Sequence, residues 1–319
     1  MGETSEIRRS VNGCDDVAIA VLTYRRPAHF ERALNSALAQ RGPVSEVMVV
    51  DNANDESLKG WLNDRFPTVR YLPMSFNAGT EGRNAAMRVV HAPLIITLDD
   101  DVELVGTECV AKVCEEFARD PKLACLNFKV VDGQRRTLQR EWCHPRPIAH
   151  ANLEFDTYFI LEGACAFRRK AALAAGGYSP DFFLGHEGID LAYRLIDRGL
   201  RVAYTPRIEA MHHVAQENRP GWRLYYYYTR NGIWVAYRHF DGVRAVMSAI
   251  ENTAKMGFFA IRAGHLLAYA QGVAAGLIGL FNIKRCPLST GTRKRLKAIR
   301  AERVPLLGRM RRHLKERIL

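Results

Sequence analysis

The sequence predicts an α/β protein with a single Rossmann-like, mostly parallel sheet, helices on both faces and a C-terminal helical extension. Three observations predict it. Short continuous apolar runs, such as VAIAVL at 17–22 and LIITL at 94–98, have the length and composition of strands buried on both faces. Segments with helical apolar spacing alternate with these runs, as in right-handed βαβ units. Polar residues gather where the runs end, and in open α/β sheets ligands sit at the carboxyl ends of strands.

The elements follow in order. Strands are expected at 17–22, 46–50, 69–72 and 94–98, and helices at 28–40, 58–66 and 79–90. In the first helix Phe30, Ala33, Leu34, Ala37 and Leu38 share one face. Beyond Val102 a helix is expected at 107–119, strands at 123–131 and 158–168, a helix at 190–198 and a short strand at 202–205 stopped by Pro206. The polar stretch 132–152, with Arg140, Trp142 and His144, reads as a loop over the site, where those three side chains are expected to contact a substrate. From Trp222 onward the pattern is helical.

Of 319 residues, 48% are apolar and 25% charged, which excludes a disordered chain. The net charge is +12, but residues 282–319 hold thirteen Lys/Arg and two Glu, so the body is near neutral. A basic tail on a neutral body argues against a nucleic-acid-binding core. Seven Cys, with no C-x-x-C pair, read as reduced thiols rather than a disulfide framework or zinc site.

Three strand ends carry the candidate chemistry: Thr23-Tyr24-Arg25-Arg26, Asp51-Asn52 and Asp99-Asp100-Asp101. Three adjacent carboxylates repel one another unless a cation neutralises them. At a buried strand end the expected cation is Mg²⁺ or Mn²⁺, which takes one or two protein carboxylates plus substrate phosphates. Alternation along the strand lets Asp99 and Asp101 share a ligand while Asp100 points elsewhere. Glu187 and Asp190 sit three apart at a helix start, on one face of the first turn. His212 and His213 follow a strand and can complete a metal shell. The loop Asn77-Ala78-Gly79-Thr80-Glu81-Gly82-Arg83 opens a helix and could face a diphosphate.

Taken together these segments resemble the family 2 glycosyltransferases of GT-A fold, in particular the rhamnosyltransferase-like bacterial branch. The resemblance rests on Thr23–Arg26 after the first strand, Asp51-Asn52, then Asn77, Gly79, Arg83 and Asn84. It continues with Leu98–Asp101, Glu162–Ala164, Gly176–Phe183, the helix Glu187, Asp190, Leu191 and Arg194, and a final Pro206 with His212. It covers roughly 17–240.

The resemblance implies an inverting, metal-dependent enzyme that moves a sugar from a UDP-, dTDP- or GDP-linked donor to a hydroxyl acceptor. It implies Thr23, Tyr24, Arg26, Asp51, Asn77, Gly79, Arg83, Asp99 and Asp100 at the donor. Asp99, Asp101 and His212 are implied at the metal, with His213 as rival. Many members carry an acid where this chain has Gly188, so the expected base moves to Glu187, with Asp190 as runner-up. A nucleotidyltransferase is the rival enzyme class, but it would open with a Gly-rich phosphate loop where Thr-Tyr-Arg-Arg-Pro stands here. A non-catalytic membrane-associated nucleotide-binding module is the other alternative.

The expected divisions are a flexible N-terminus at 1–16, a GT-A catalytic domain at 17–222, a helical region at 223–283 and a basic amphipathic tail at 284–319. Residues 263–283 lack Lys, Arg, Asp and Glu, but Gly and Gln dilute their hydropathy, so a buried or surface-lying helix is expected rather than a span. In the tail, Leu307, Met310, Leu314 and Ile318 recur among Arg and Lys, which suits an anionic bilayer surface or a solvated tail. The expected location is cytoplasmic, peripheral on the inner face of the cell membrane.

Overall fold

The computed structural model describes residues 16–25, 27–134, 137–138, 142–213, 221–305 and 308. The first half runs β1 (Val17–Thr23), α1 (Pro27–Leu38), β2 (Val44–Asp51), α2 (Glu56–Arg65), β3 (Arg70–Pro73), α3 (Glu81–Val89) and β4 (Leu94–Asp99). Then come β5 (Val102–Leu104), α4 (Cys109–Arg119), β6 (Leu123–Asp132), β7 (Phe155–Asp156), β8 (Ala164–Arg168), α5 (Arg169–Ala174), α6 (Glu187–Asp197) and β9 (Arg201–His212). Four helices close the described chain: α7 (Trp222–His239), α8 (Gly242–Ala263), α9 (Leu266–Ile278) and α10 (Thr290–Ala301).

All nine strands form one sheet in the order β3-β2-β1-β4-β8-β6-β9-β5, with β7 on β9. Alternation along β1 sends Val17, Ile19 and Val21 to one face and Ala18 and Ala20 to the other. The first face packs on α1, α2 and α4 through Phe30, Leu62, Val110 and Phe117. The second packs on α3, α5 and α6 through Met87, Ala172, Leu191 and Leu195, and continues into Trp234 of α7 and Leu296 of α10. Burial on both sides is why the strands read as unbroken apolar runs.

The sheet departs from the expected mostly parallel pattern. Strands β3, β2, β1 and β4 are parallel. Beyond β4 the sheet is mixed: β8 is antiparallel to both β4 and β6, β6 and β9 are parallel, and β5 and β7 run antiparallel to β9. The expected strand at 158–168 shortens to β8, and β9 runs on past Pro206 to His212. Pro206 lies where the β6–β9 register jumps from Asn127↔Tyr204 to Lys129↔Glu209. An irregularity there tolerates a residue that cannot donate to the ladder.

Gly264 in the left-handed conformation splits the uncharged C-terminal stretch and ends α8. Two small residues then bring α9 against α7. A side chain at Gly272 would strike the Tyr226 carbonyl, and one at Gly276 would strike Ile233. Among the described residues no helix is long and apolar enough to cross a membrane. The amphipathic pattern at 307–318 lies outside the described residues.

Replacing Gly272 by Leu is expected to destabilise the protein by about 1–3 kcal/mol, because a backbone carbonyl cannot swing aside. The urea midpoint checks this, with nucleoside-diphosphate affinity expected to stay unchanged.

Candidate active site

The carboxyl ends of β1, β2 and β4 are stitched together by their own polar residues. Thr23 Oγ1 donates to Asp100 Oδ2 at 2.9 Å, and the Tyr24 N–H donates to the same oxygen at 3.3 Å. The Asn52 N–H reaches the Thr23 carbonyl at 3.0 Å, and its side chain donates to the Gly79 carbonyl at 2.9 Å. Asn77 Oδ1 accepts from the Gly79 N–H at 3.2 Å. Gly79 itself has φ +58°, and a side chain there would run into the Phe183 carbonyl. A glycine is therefore required on two counts. Asp51 is fully buried and accepts from Ala53 N–H (2.8 Å), Asp55 N–H (2.7 Å) and Tyr71 Oη (2.8 Å), which shapes the turn after β2.

Beside this seam lies a cluster of acids around one guanidinium. Arg83, buried on α3, donates from Nε to the Glu162 carbonyl at 3.1 Å and from Nη2 to Asp99 Oδ1. Burial works against its charge, but Asp99 together with Tyr178, Glu162 and Cys165 holds it above the ordinary arginine value. Thr97 Oγ1 donates to the same Glu162 carbonyl at 2.8 Å. Burial, reinforced by Asp99 and opposed by Arg83, pushes the Glu162 carboxyl up to about 7. Glu187, 3% exposed, has a buried Oε2 with no hydrogen-bond partner among the described residues. Burial and then the Glu162 charge push it well above the ordinary range.

Gly188 explains how the acids fit. A side chain at 188 would collide with Glu162 Oε1 and the Ile160 carbonyl. The Glu162 carboxyl thus occupies space that an acid at 188 would need. Position 162 was legible only as part of the Glu-Gly-Ala resemblance. The pointer to its chemistry was the missing acid at 188, whose vacated volume only the tertiary structure fills.

Across β5 and β9, the pairing Val102↔His212 brings Asp101 beside the end of β9. His212 Nε2 lies 3.5 Å from Asp101 Oδ1. His213, the rival, is turned to Glu103, with Nε2 2.8 Å from its Oε2. One carboxylate oxygen and one imidazole nitrogen thus converge. They suit a divalent ion that completes its shell with phosphate and water. Among the described residues no cluster of three ligating side chains exists.

Asp190, the expected alternative base, is engaged elsewhere. It is fully buried and accepts from Arg194 Nε at 3.1 Å and Nη2 at 2.5 Å, with His239 Nε2 at 2.8 Å and Arg238 Nε at 3.4 Å. Burial alone would raise its carboxyl, but the His239 hydrogen bond and the Arg194 charge hold it at about 2. Arg194 also donates to the Gly177 carbonyl at 2.7 Å. Asn84, from the motif on α3, is likewise structural: it exchanges hydrogen bonds with the Tyr178 backbone at 2.8 Å each.

Other expected residues separate in the same way. Asp100 points away from Asp99, as alternation requires, and clamps β1. Asp99 is committed to Arg83, while its side chain stays 31% exposed. Arg26 and Arg140 lie outside the described residues. Trp142 and His144, expected at the acceptor, are buried in an aromatic cluster with Phe155 and Tyr204. Burial there lowers His144 to about 3, so it stays neutral.

Asp190→Asn is expected to cost about 3–5 kcal/mol, because the buried cations around it lose their counter-charge. Its folded value lies below the ordinary 3.8, so its stabilising contribution is full above about pH 4 and is lost as pH falls toward 2. Urea unfolding of wild type and variant across that window checks both statements.

Comparison with known proteins fits this geometry. Residues 18–177 match the profile described as Glycosyl transferase family 2. The N-acetylglucosaminyl-diphospho-decaprenol L-rhamnosyltransferase of Mycobacterium tuberculosis is 25% identical over 273 residues, covering 72% of this chain and 87% of that protein. The O-antigen biosynthesis protein RfbC of Myxococcus xanthus is 23% identical over 239 residues, covering 67% of this chain and 18% of that one. Among solved structures, the mannosyltransferase PcManGT of Pyrobaculum calidifontis, with GDP-Man and Mn²⁺, aligns over 93% of this chain and 86% of its own (TM-score 0.54, 17% identity). GalNAc-T7 with UDP, GalNAc and Mn²⁺ aligns over 85% of this chain and 59% of its own (TM-score 0.59, 12% identity). The chain belongs to glycosyl transferase family 2, a glycosyltransferase built on the GT-A fold.

Proposed function

We propose that this enzyme moves a sugar, with inversion, from a nucleoside-diphosphate donor to a hydroxyl of a lipid-linked sugar at the inner face of the cell membrane. The observation that carries it is the acidic cluster around Arg83 at the end of β4, next to the Asp101–His212 pair. The substrate named for the mycobacterial relative supports the lipid-linked acceptor. A UDP-, dTDP- or GDP-linked donor suits the seam at Thr23, Tyr24, Asp51, Asn77 and Gly79, which Asp100 pins in place.

In the reaction the acceptor oxygen bonds to the anomeric carbon. The bond from that carbon to the diphosphate oxygen breaks, and its electron pair leaves with the nucleoside diphosphate. The acceptor proton passes to a carboxylate. Glu162 takes it: it is partly exposed, its value lies near neutrality, and Gly188 leaves room for it. Glu187, the expected base, is buried and raised well above the ordinary carboxylate range, and Asp190 is held by its cations. Arg83 fixes Glu162 through its carbonyl and Asp99 through its carboxylate, and so sets their spacing. Asp101 and His212 would hold a Mg²⁺ or Mn²⁺ ion. Such an ion, when bound, supplies positive charge for the departing diphosphate.

A panel of nucleotide sugars, read out as released nucleoside diphosphate, should identify one donor; release of pyrophosphate instead would contradict glycosyl transfer. Glu162→Gln is expected to lower kcat by about 10²–10⁴-fold with donor affinity kept. In the wild type the rate should rise with pH through about 7, because the base must lose its proton, and the variant should lack that limb. Full activity of Glu162→Gln alongside an inactive Glu187→Gln would return the role to Glu187. Asp101→Asn should abolish the extra thermal stabilisation that Mn²⁺ gives to nucleoside-diphosphate binding.

A further inference from the structure

The C-terminal helices leave a large apolar face uncovered. α8 packs inward through Met256, Gly257 and Ala260, and α9 through Ala268, Gly272 and Gly276. Their opposite faces are uncovered among the described residues. On α8, Val243, Met247, Ile250, Ala254, Phe258 and Ile261 recur at helical spacing, with no charged residue interrupting the stripe. Val243 is 77% exposed, Met247 60% and Ile261 67%. At a rise of 1.5 Å per residue the stripe is about 27 Å long. α9 carries no charged residue, and it turns Leu267 and Ile278 outward, followed by Phe281 at 94% exposure.

Beside the start of this stripe, α8 and α10 enclose an open cleft of about 820 Å³. It is lined by Arg244, Arg293, Lys294, Lys297, Arg300 and Arg303. Asp241 pairs with Arg293 at 3.2 Å and Glu251 with Arg303 at 3.2 Å, and Arg300 donates to Tyr193 Oη, so Arg244, Lys294 and Lys297 carry the cleft's excess charge. A long apolar stripe edged by concentrated positive charge matches one chemistry: acyl chains under anionic headgroups.

We propose that the outer faces of α8 and α9, with the α8–α10 cleft, form the surface by which the enzyme lies on an anionic phospholipid bilayer. The apolar stripe enters the acyl boundary and the cleft cations meet the headgroup phosphates. The helices lie in the plane of the surface, since neither can span it. This rests on the placement at the membrane proposed above, and not on the chemistry at Glu162, so donor turnover serves as a separate readout.

The test is flotation of the full chain with vesicles of phosphatidylcholine alone or mixed with phosphatidylglycerol. Wild type is expected to float with the anionic vesicles only. A variant carrying Val243→Ser, Met247→Ser and Ile250→Ser should partition at least roughly tenfold more weakly. One carrying Arg244→Ala, Lys294→Ala and Lys297→Ala should lose roughly a hundredfold. Both should keep donor hydrolysis and their melting temperature, which shows them folded. Wild-type flotation by the Ser variant would overturn the proposal and leave residues 307–319 as the anchor. Equal binding to both vesicle types, or a dimer in light scattering that the Ser variant dissolves, would overturn it as well.

Discussion

Arg83 is a buried guanidinium bonded to one acid and surrounded by two more. It reaches Asp99 with one nitrogen and the Glu162 carbonyl with another, and so joins α3, the end of β4 and the segment before β8. A buried cation of this kind is tolerated only with a carboxylate beside it. Burial raises the proton affinities of two further carboxyls, those of Glu162 and Glu187, and Arg83 offsets only part of that rise. The proton-accepting capacity of the site comes first from that burial.

The remaining motif residues keep that cluster in place. Asp100 closes β1 onto β4, Asn52 closes β2 onto the Gly79 loop, and Asn84 holds the turn at Tyr178. Asp190 gathers Arg194, Arg238 and His239, while His239 Nδ1 contacts the Cys286 carbonyl at 3.1 Å. The start of α6, which carries Glu187, is thereby tied to α7 and to the segment leading into α10. Side chains that look chemical in the sequence also hold the structure, because buried polar groups at strand ends need partners and find them in one another.

At the other pole of the molecule, the same small residues that let α9 approach α7 commit the inner faces of α8 and α9 to packing. Their outer faces then have nothing among the described residues to cover them. The basic residues that dominate the net charge begin at the cleft lined by α10, next to that apolar surface. Charge and hydropathy, separate features along the chain, become adjacent in space.

Local pattern determined the βαβ succession at 17–99, the carboxyl-end placement of Asp51 and Asp99–Asp101, and the split between Asp99 and Asp100. Period and burial set these, and neither depends on distant partners. The mixed second half of the sheet was not legible, since an apolar run does not say which neighbour it pairs with or in which direction. Nor were the tasks of Asp190, His144 and Glu162. Asp190 is held by His239, 49 residues on. His144 is neutralised by an aromatic cluster. Glu162 reaches the site through the space left by Gly188. Each of these depends on a contact between segments far apart in the chain. Only tertiary packing brings such partners close enough to shift a proton affinity or fill a missing side chain's volume.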